Sequence, residues 1–188
     1  MVRASSNRMA CAALCVVAVS APAMTASALT AEDVSRGFRD GVGVCITAGL
    51  QGKSIGQLVE ADRKGLSPGG ESMRSMLNLS GPVWDVPSAK GIVVVWEPKA
   101  GDCEVMAYGP PVDLTFKAVV ADAKKQAPKL VDVPIQPGYD PIVYRLNAVE
   151  NGAVRLDVML HGAEPGTPGH TFRFSMLKAL VMWPSTSP

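Results

Sequence analysis

The sequence predicts an α+β domain: an antiparallel sheet of five to six strands, preceded by two helices and interrupted by one crossover helix, in the order β-β-α-β-β-β. Three observations carry this prediction. Apolar residues recur at helical spacing over 34–49 and again over 116–123, whereas from residue 142 onward they alternate with a period of two. The run 91–96 (GIVVVW) is β-branched almost throughout, as a strand buried on both faces would be. Asn151-Gly152 separates two alternating segments, a strong local signal for a hairpin.

Residues 1–28 read as a cleavable signal peptide. MVRASSNR carries Arg3 and Arg8 and no acid, and residues 9–19 (MACAALCVVAV) form an apolar run of the length a signal core has. That run is too short to span a bilayer, which takes about 20 apolar residues. Two A-x-A sites follow, ending at Ala23 and Ala28; Pro22 disfavours the first, and Thr30 stands as a helix cap just beyond the second. Neither Cys11 nor Cys15 lies in the Leu-Ala-Gly-Cys context of a lipid anchor. The expectation is therefore export, to the periplasm or the exterior, of one domain spanning 29–188.

Export sets the charge and the redox state. Arg3 and Arg8 leave with the signal, so 16 of the 18 basic residues face 17 acids and the net charge falls near −1. No basic block remains, which argues against nucleic acid or an anionic membrane as partner, and no second apolar run could span a membrane. Two cysteines far apart in an exported chain most simply form one bridge, Cys45–Cys103. Without a C-x-x-C pair, a thioredoxin-type or cysteine-zinc site is disfavoured.

The elements follow in order. Thr30 caps a first helix with Glu32 and Asp33 in its opening turn; Val34, Phe38, Val42 and Cys45 form its apolar face, and Gly41, Gly43 and Gly49 weaken it. Ser54 and Gln57 make a capping box for a short second helix that ends near Gly65. Residues 66–90 are the least regular, with one or two helical turns expected over 71–79. Strands 91–96 and 103–108 make a hairpin across PKAGD, and Asp113 caps a helix that runs to about Gln126. Further strands are expected over 130–135, 142–149, 154–160 and 171–182, the last with a bulge near Leu177. A two-residue Asn-Gly loop would put the apolar sets Tyr144/Leu146/Ala148 and Leu156/Val158/Leu160 on opposite faces. A three-residue loop, 150–152 with Gly152 left-handed, puts them together and sets Arg145 opposite Asp157.

This order of elements resembles the profilin-like and PAS-like sheets over about residues 91–183, without any sequence motif. The resemblance implies spatial order 2-1-5-4-3, with the first and last strands as central neighbours. The chain is also similar in general character to small exported proteins of proteobacteria, a likeness that implies no activity.

The segment 161–170 (HGAEPGTPGH) is the most distinctive polar feature. It holds both histidines, His161 and His170, with Glu164 between them, in a Gly/Pro-rich connection of two strands. Two imidazoles and a carboxylate suit a labile or catalytic zinc ion, although the spacing matches no standard motif; backbone hydrogen bonding that shapes the loop is the plainer reading. Gly52-Lys53-Ser54 lacks the first glycine of a phosphate-binding loop, and Gly-x-Ser-x-Gly is absent. Asp85, Glu97, Asp102, Glu104 and Glu164 could make a paired-carboxylate cleft, but solvated turn acids are the commoner explanation. Trp96 ends a buried run and belongs in the core, whereas Trp84, in the irregular stretch, is the candidate for a ligand or partner contact.

Together these features point to an exported binding or interaction module without catalysis. Its partner would be a protein or a small molecule, it would need no cofactor, and it would meet that partner at Trp84 or along a sheet edge. The alternative is a metal-binding protein or metal-dependent hydrolase with zinc at His161, Glu164 and His170.

Overall fold

The structure, a computed structural model, describes residues 29–61, 65–69, 74–75, 78–135 and 142–184. The signal peptide expected over 1–28 and most of the helical turns expected over 71–79 lie outside the described residues. The fold is α+β, with three α-helices among the described residues and an open antiparallel sheet. That sheet has eight strands where five to six were expected, because the irregular stretch before residue 91 contributes two short ones.

Helix α1 (Ala31–Gln51) starts at Thr30, whose hydroxyl accepts from the Asp33 N–H at 3.1 Å while the Asp33 carboxylate accepts from the Thr30 N–H at 3.0 Å. Its C-terminus is closed by Gly52 in the left-handed region, at φ 62°. The glycines that weaken this helix also let it sit on the sheet. A Cβ at Gly37 would lie 2.6 Å from the Ala89 Cβ, and one at Gly49 would lie 2.5 Å from Leu156. Helix α2 (Ile55–Ala61) begins with the predicted box: Ser54 Oγ accepts from the Gln57 N–H, and Gln57 Oε1 accepts from the Ser54 N–H.

Strands β1 (Ser67–Pro68) and β2 (Val83–Asp85) come next, then a single 3₁₀ turn (Pro87–Ala89) and the hairpin β3 (Val93–Trp96) and β4 (Asp102–Tyr108). Cys45 on α1 is bonded to Cys103 on β4, 58 residues away, so the bridge ties the first helix to this hairpin. Helix α3 (Val112–Gln126) crosses over the sheet, and strands β5 (Val131–Asp132), β6 (Ile142–Glu150), β7 (Ala153–Ala163) and β8 (Met176–Met182) complete it.

The sheet order is β1-β2-β3-β4-β8-β7-β6-β5, antiparallel throughout. This corrects the profilin-like order: β8 pairs with the second hairpin strand, β4, and not with β3. β3 is indeed buried on both faces, but its cover comes from elsewhere. Val93 and Val95 join the main core, while Val94 and Trp96 pack with Val83, Leu79, Met106 and Tyr108 on the other side.

The β6–β7 connection is also corrected. Glu150 pairs with Ala153, leaving a two-residue turn in which Asn151 and Gly152 both have positive φ, 52° and 77°. The apolar faces nevertheless coincide, Tyr144, Leu146 and Ala148 lying opposite Leu160, Val158 and Leu156, because a register shift beyond Ala148 restores the parity. Arg145 therefore reaches Asp157 diagonally and not directly across. In β8 the pairing with both neighbours is continuous from Met176 to Met182, so the bulge expected near Leu177 is absent and Phe172 and Phe174 precede the strand.

Helices α1 and α3 cover one face of the sheet. Phe38 of α1 and Phe116 of α3 meet with ring centroids 6.1 Å apart, in the same core as Val105, Val158, Leu160, Ala179 and Val181 of the sheet. The pair Arg39–Asp122, with nitrogen and oxygen 2.6 Å apart, joins the two helices at their rim. No helix among the described residues is long and apolar enough to cross a membrane.

Candidate functional site

Alternation on the central strands decides what lies on the face away from the helices. β8 turns Leu177, Ala179 and Val181 into the core, which leaves Met176, Lys178, Leu180 and Met182 on the opposite side, all half-buried. β7 likewise sends Leu160 inward and Met159 and His161 outward. The register lines these residues into rows across the strands. One row runs Val143–His161–Lys178–Met106 from β6 to β4, and the next runs Arg145–Met159–Leu180–Glu104.

The β6, β7 and β8 members of the two rows, with Met176 and the Pro134-Ile135 segment after β5, line a groove of about 800 Å³. Its lining among the described residues is apolar apart from Arg145, His161 and Lys178. Arg145 and Lys178 are both paired. Arg145 donates to both carboxylate oxygens of Asp157, at 3.1 and 2.7 Å, and Lys178 pairs with Glu104 while its ammonium lies 5.8 Å from the Trp96 ring centre. Burial, and then the neighbouring Lys178 charge, hold the His161 imidazole below its ordinary pKa and keep it neutral near pH 7.

At the Met176 end the face continues into a cluster of rings. Tyr108, paired with Met176, meets Phe174 edge-on at 5.3 Å, and Phe174 stacks on Phe172 at 5.6 Å. Phe172 and Phe174 are 47% and 44% exposed, a high fraction for residues of their size. A second hollow, about 630 Å³, lies at the far end of the sandwich beside Trp183 and Leu156. Its rim charges are already balanced among themselves, Glu150 standing between Lys129 and Arg155.

The three residues of the expected zinc site face different neighbours. His161 stands on the open face of β7, whereas Glu164 turns toward the helical layer and serves α3. One Glu164 oxygen accepts from the Val112 N–H at 2.7 Å, the other from the Ser175 hydroxyl at 2.5 Å. Glu164 is thus the cap of that helix; Asp113, expected in the role, binds Lys117 and the Tyr144 hydroxyl. His170 shapes its own loop, with Nε2 2.8 Å from the Phe174 carbonyl oxygen and its ring against Phe172. Among the described residues no group of three or more His, Cys, Asp or Glu side chains could hold a metal ion.

Trp84 is also displaced from its expected place. It stands in β2, 6% exposed, and its ring belongs to the main core, so it offers little surface to a partner. Asp85 and Glu97 are not free turn acids. Asp85 is 4% exposed and accepts from the Gly91 N–H, and Glu97 accepts from the Ile55 N–H at the start of α2.

Sequence reasoning missed the open face, although a signal for it was present. In MLKALVM both alternate sets are largely apolar, and a strand apolar on both sides needs cover or a ligand on both. Compared with known proteins, the chain matches no family model, and no curated protein or solved structure is significantly similar to it.

Proposed function

We propose that this protein is a non-catalytic binding module, secreted or periplasmic, whose ligand seats in the groove on the open sheet face. The observation that carries the reading is the groove itself: about 800 Å³, walled by Met159, Met176, Leu180, Val143 and Ile135 on three adjoining strands and the segment beside them. That volume falls within the range of about 300–1,000 Å³ usual for small-molecule sites. Four of the nine methionines, Met106, Met159, Met176 and Met182, stand on this face, and their flexible thioethers can conform to an apolar ligand. A compartment that permits the Cys45–Cys103 bond supports the exported setting.

The test is uptake of the neutral apolar dye Nile red by the oxidised protein. Saturable fluorescence enhancement is expected in the wild type, with loss in Leu180→Glu at a melting temperature within a few degrees. Met159→Gln, a milder change on the same wall, should weaken uptake severalfold. Unchanged uptake in both folded variants would remove the groove from the reading.

A further inference from the structure

Among the described residues that line the groove the polar side chains are all basic in type, Arg145 and Lys178 charged and His161 neutral near pH 7. Arg145, His161 and Lys178 line it, and no Asp or Glu of the described residues does. The acids that satisfy two of them, Asp157 and Glu104, stand outside the lining and are held in their own pairs. His161 differs: it makes no hydrogen bond to any described residue, and it sits between Val143 on β6 and Lys178 on β8, with Arg145 diagonally beyond Val143. A half-buried imidazole in an apolar groove, next to a lysine and without an acceptor of its own, is a place where a negative charge would be stabilised.

Resting on the binding-module reading, we propose that the groove takes a single-chain amphiphile with a carboxylate head, its alkyl chain against Met159, Leu180 and Ile135 and its head at His161. The carboxylate accepts a hydrogen bond from the imidazole and offsets the field of Lys178. A quaternary ammonium head on the same chain would take no hydrogen bond from His161, and Asp157 and Glu104, the described acids beside the groove, are already paired with Arg145 and Lys178. An alcohol head would gain the apolar contact alone. The methionine walls suit an alkyl chain, which presents no shape that a rigid pocket could select.

The experiment is displacement of Nile red from the oxidised full chain at pH 7 by dodecanoate, dodecanol and dodecyltrimethylammonium, each below its micellar concentration. Dodecanoate is expected to act at a concentration at least tenfold lower than the ammonium. Octanoate should be more than tenfold weaker than dodecanoate, since each buried methylene adds up to about fourfold in affinity. His161→Gln, checked as folded by its melting temperature, should bring dodecanoate and dodecanol within about threefold of each other. The head-group series on the wild type decides the matter without the variant. Equal displacement by all three heads, or none by dodecanoate while Nile red binds and Leu180→Glu abolishes it, would overturn the carboxylate assignment and leave the face a binding site. Failure of the wild type to take up Nile red would remove both.

Discussion

His161 occupies a half-buried position on β7 between Val143 and Lys178, and the cost of charging it there has a consequence for stability. Burial and Lys178 lower its pKa in the folded protein below the ordinary 6.5. At pH 7.5 it is neutral in both states and contributes nothing. Below about 6.5 the unfolded chain takes up a proton that the folded protein resists, so stability falls until the pH passes the folded pKa. The melting temperature of wild type should therefore drop further than that of His161→Gln between pH 7.5 and 5.5. A gap between the two that does not change with pH would refute this. Trp84 gives the second prediction at this scale. Its ring is in the main core, so Trp84→Ala should destabilise by about 3–5 kcal/mol, the usual range for removing a large buried aromatic. Denaturant unfolding measures it, and a loss below about 1 kcal/mol would mean that the ring is not packed as described. His170 and Glu164 carry the lesson of the zinc expectation: the same residue types that ligate a metal also cap helices and brace loops, and only geometry separates the two uses.

The pieces around the first helix depend on one another. Helix α1 carries glycines at 37, 41, 43 and 49, each a poor helix former, yet two of them are where the helix touches the 3₁₀ turn and the sheet most closely. Its hold on the sheet is reinforced by the bond from Cys45 to Cys103, which closes a loop of 58 residues. Loop-closure entropy puts the stabilisation at about 4 kcal/mol. The double variant Cys45→Ser/Cys103→Ser should lose roughly that amount in a denaturant titration, and a reductant should bring wild type to the level of the variant without changing the variant further. A loss below about 1 kcal/mol would show that α1 packing needs no covalent tie. At the other end of the sandwich, Gly162 of β7 lets α3 approach: a Cβ there would meet Val112 at 2.3 Å and Phe116 at 2.9 Å. The Glu164 cap lies two residues on and holds the start of the same helix. Capping box, glycine contact and distant cap are three different local solutions to placing helices on a sheet. Only the first is local in sequence, which is why only the first was legible there.

Across the whole molecule, helices cover one face of the sheet and leave the groove on the other. Periodicity of 3.6 located α1 and α3, the hairpin across PKAGD located β4, alternation located β6, β7 and β8, and the Cys45–Cys103 pair followed from cysteine count and the expectation of export. Those features depend on a few neighbouring residues or, for the disulfide, on there being one simple pairing, so the sequence by itself determined them. Strands β1 and β2 are two and three residues long and exist only because the edge of β3 offers them a partner. The order of the sheet was likewise decided in three dimensions. Both β3 and β4 could have met β8, since each presents an apolar face to the core, and alternation alone does not choose between them. The groove depends on the pairing of β6, β7 and β8. With β8 between β4 and β7, the outward residues of β6, β7 and β8 fall into the rows that bring Arg145, His161 and Lys178 to one surface. Residues 145, 161 and 178 are distant along the chain, and no local pattern reports that they will share a wall. Sequence determines which residues prefer helix or strand and which face each strand must bury; strand pairing, a contest of long-range contacts, decides which side chains meet.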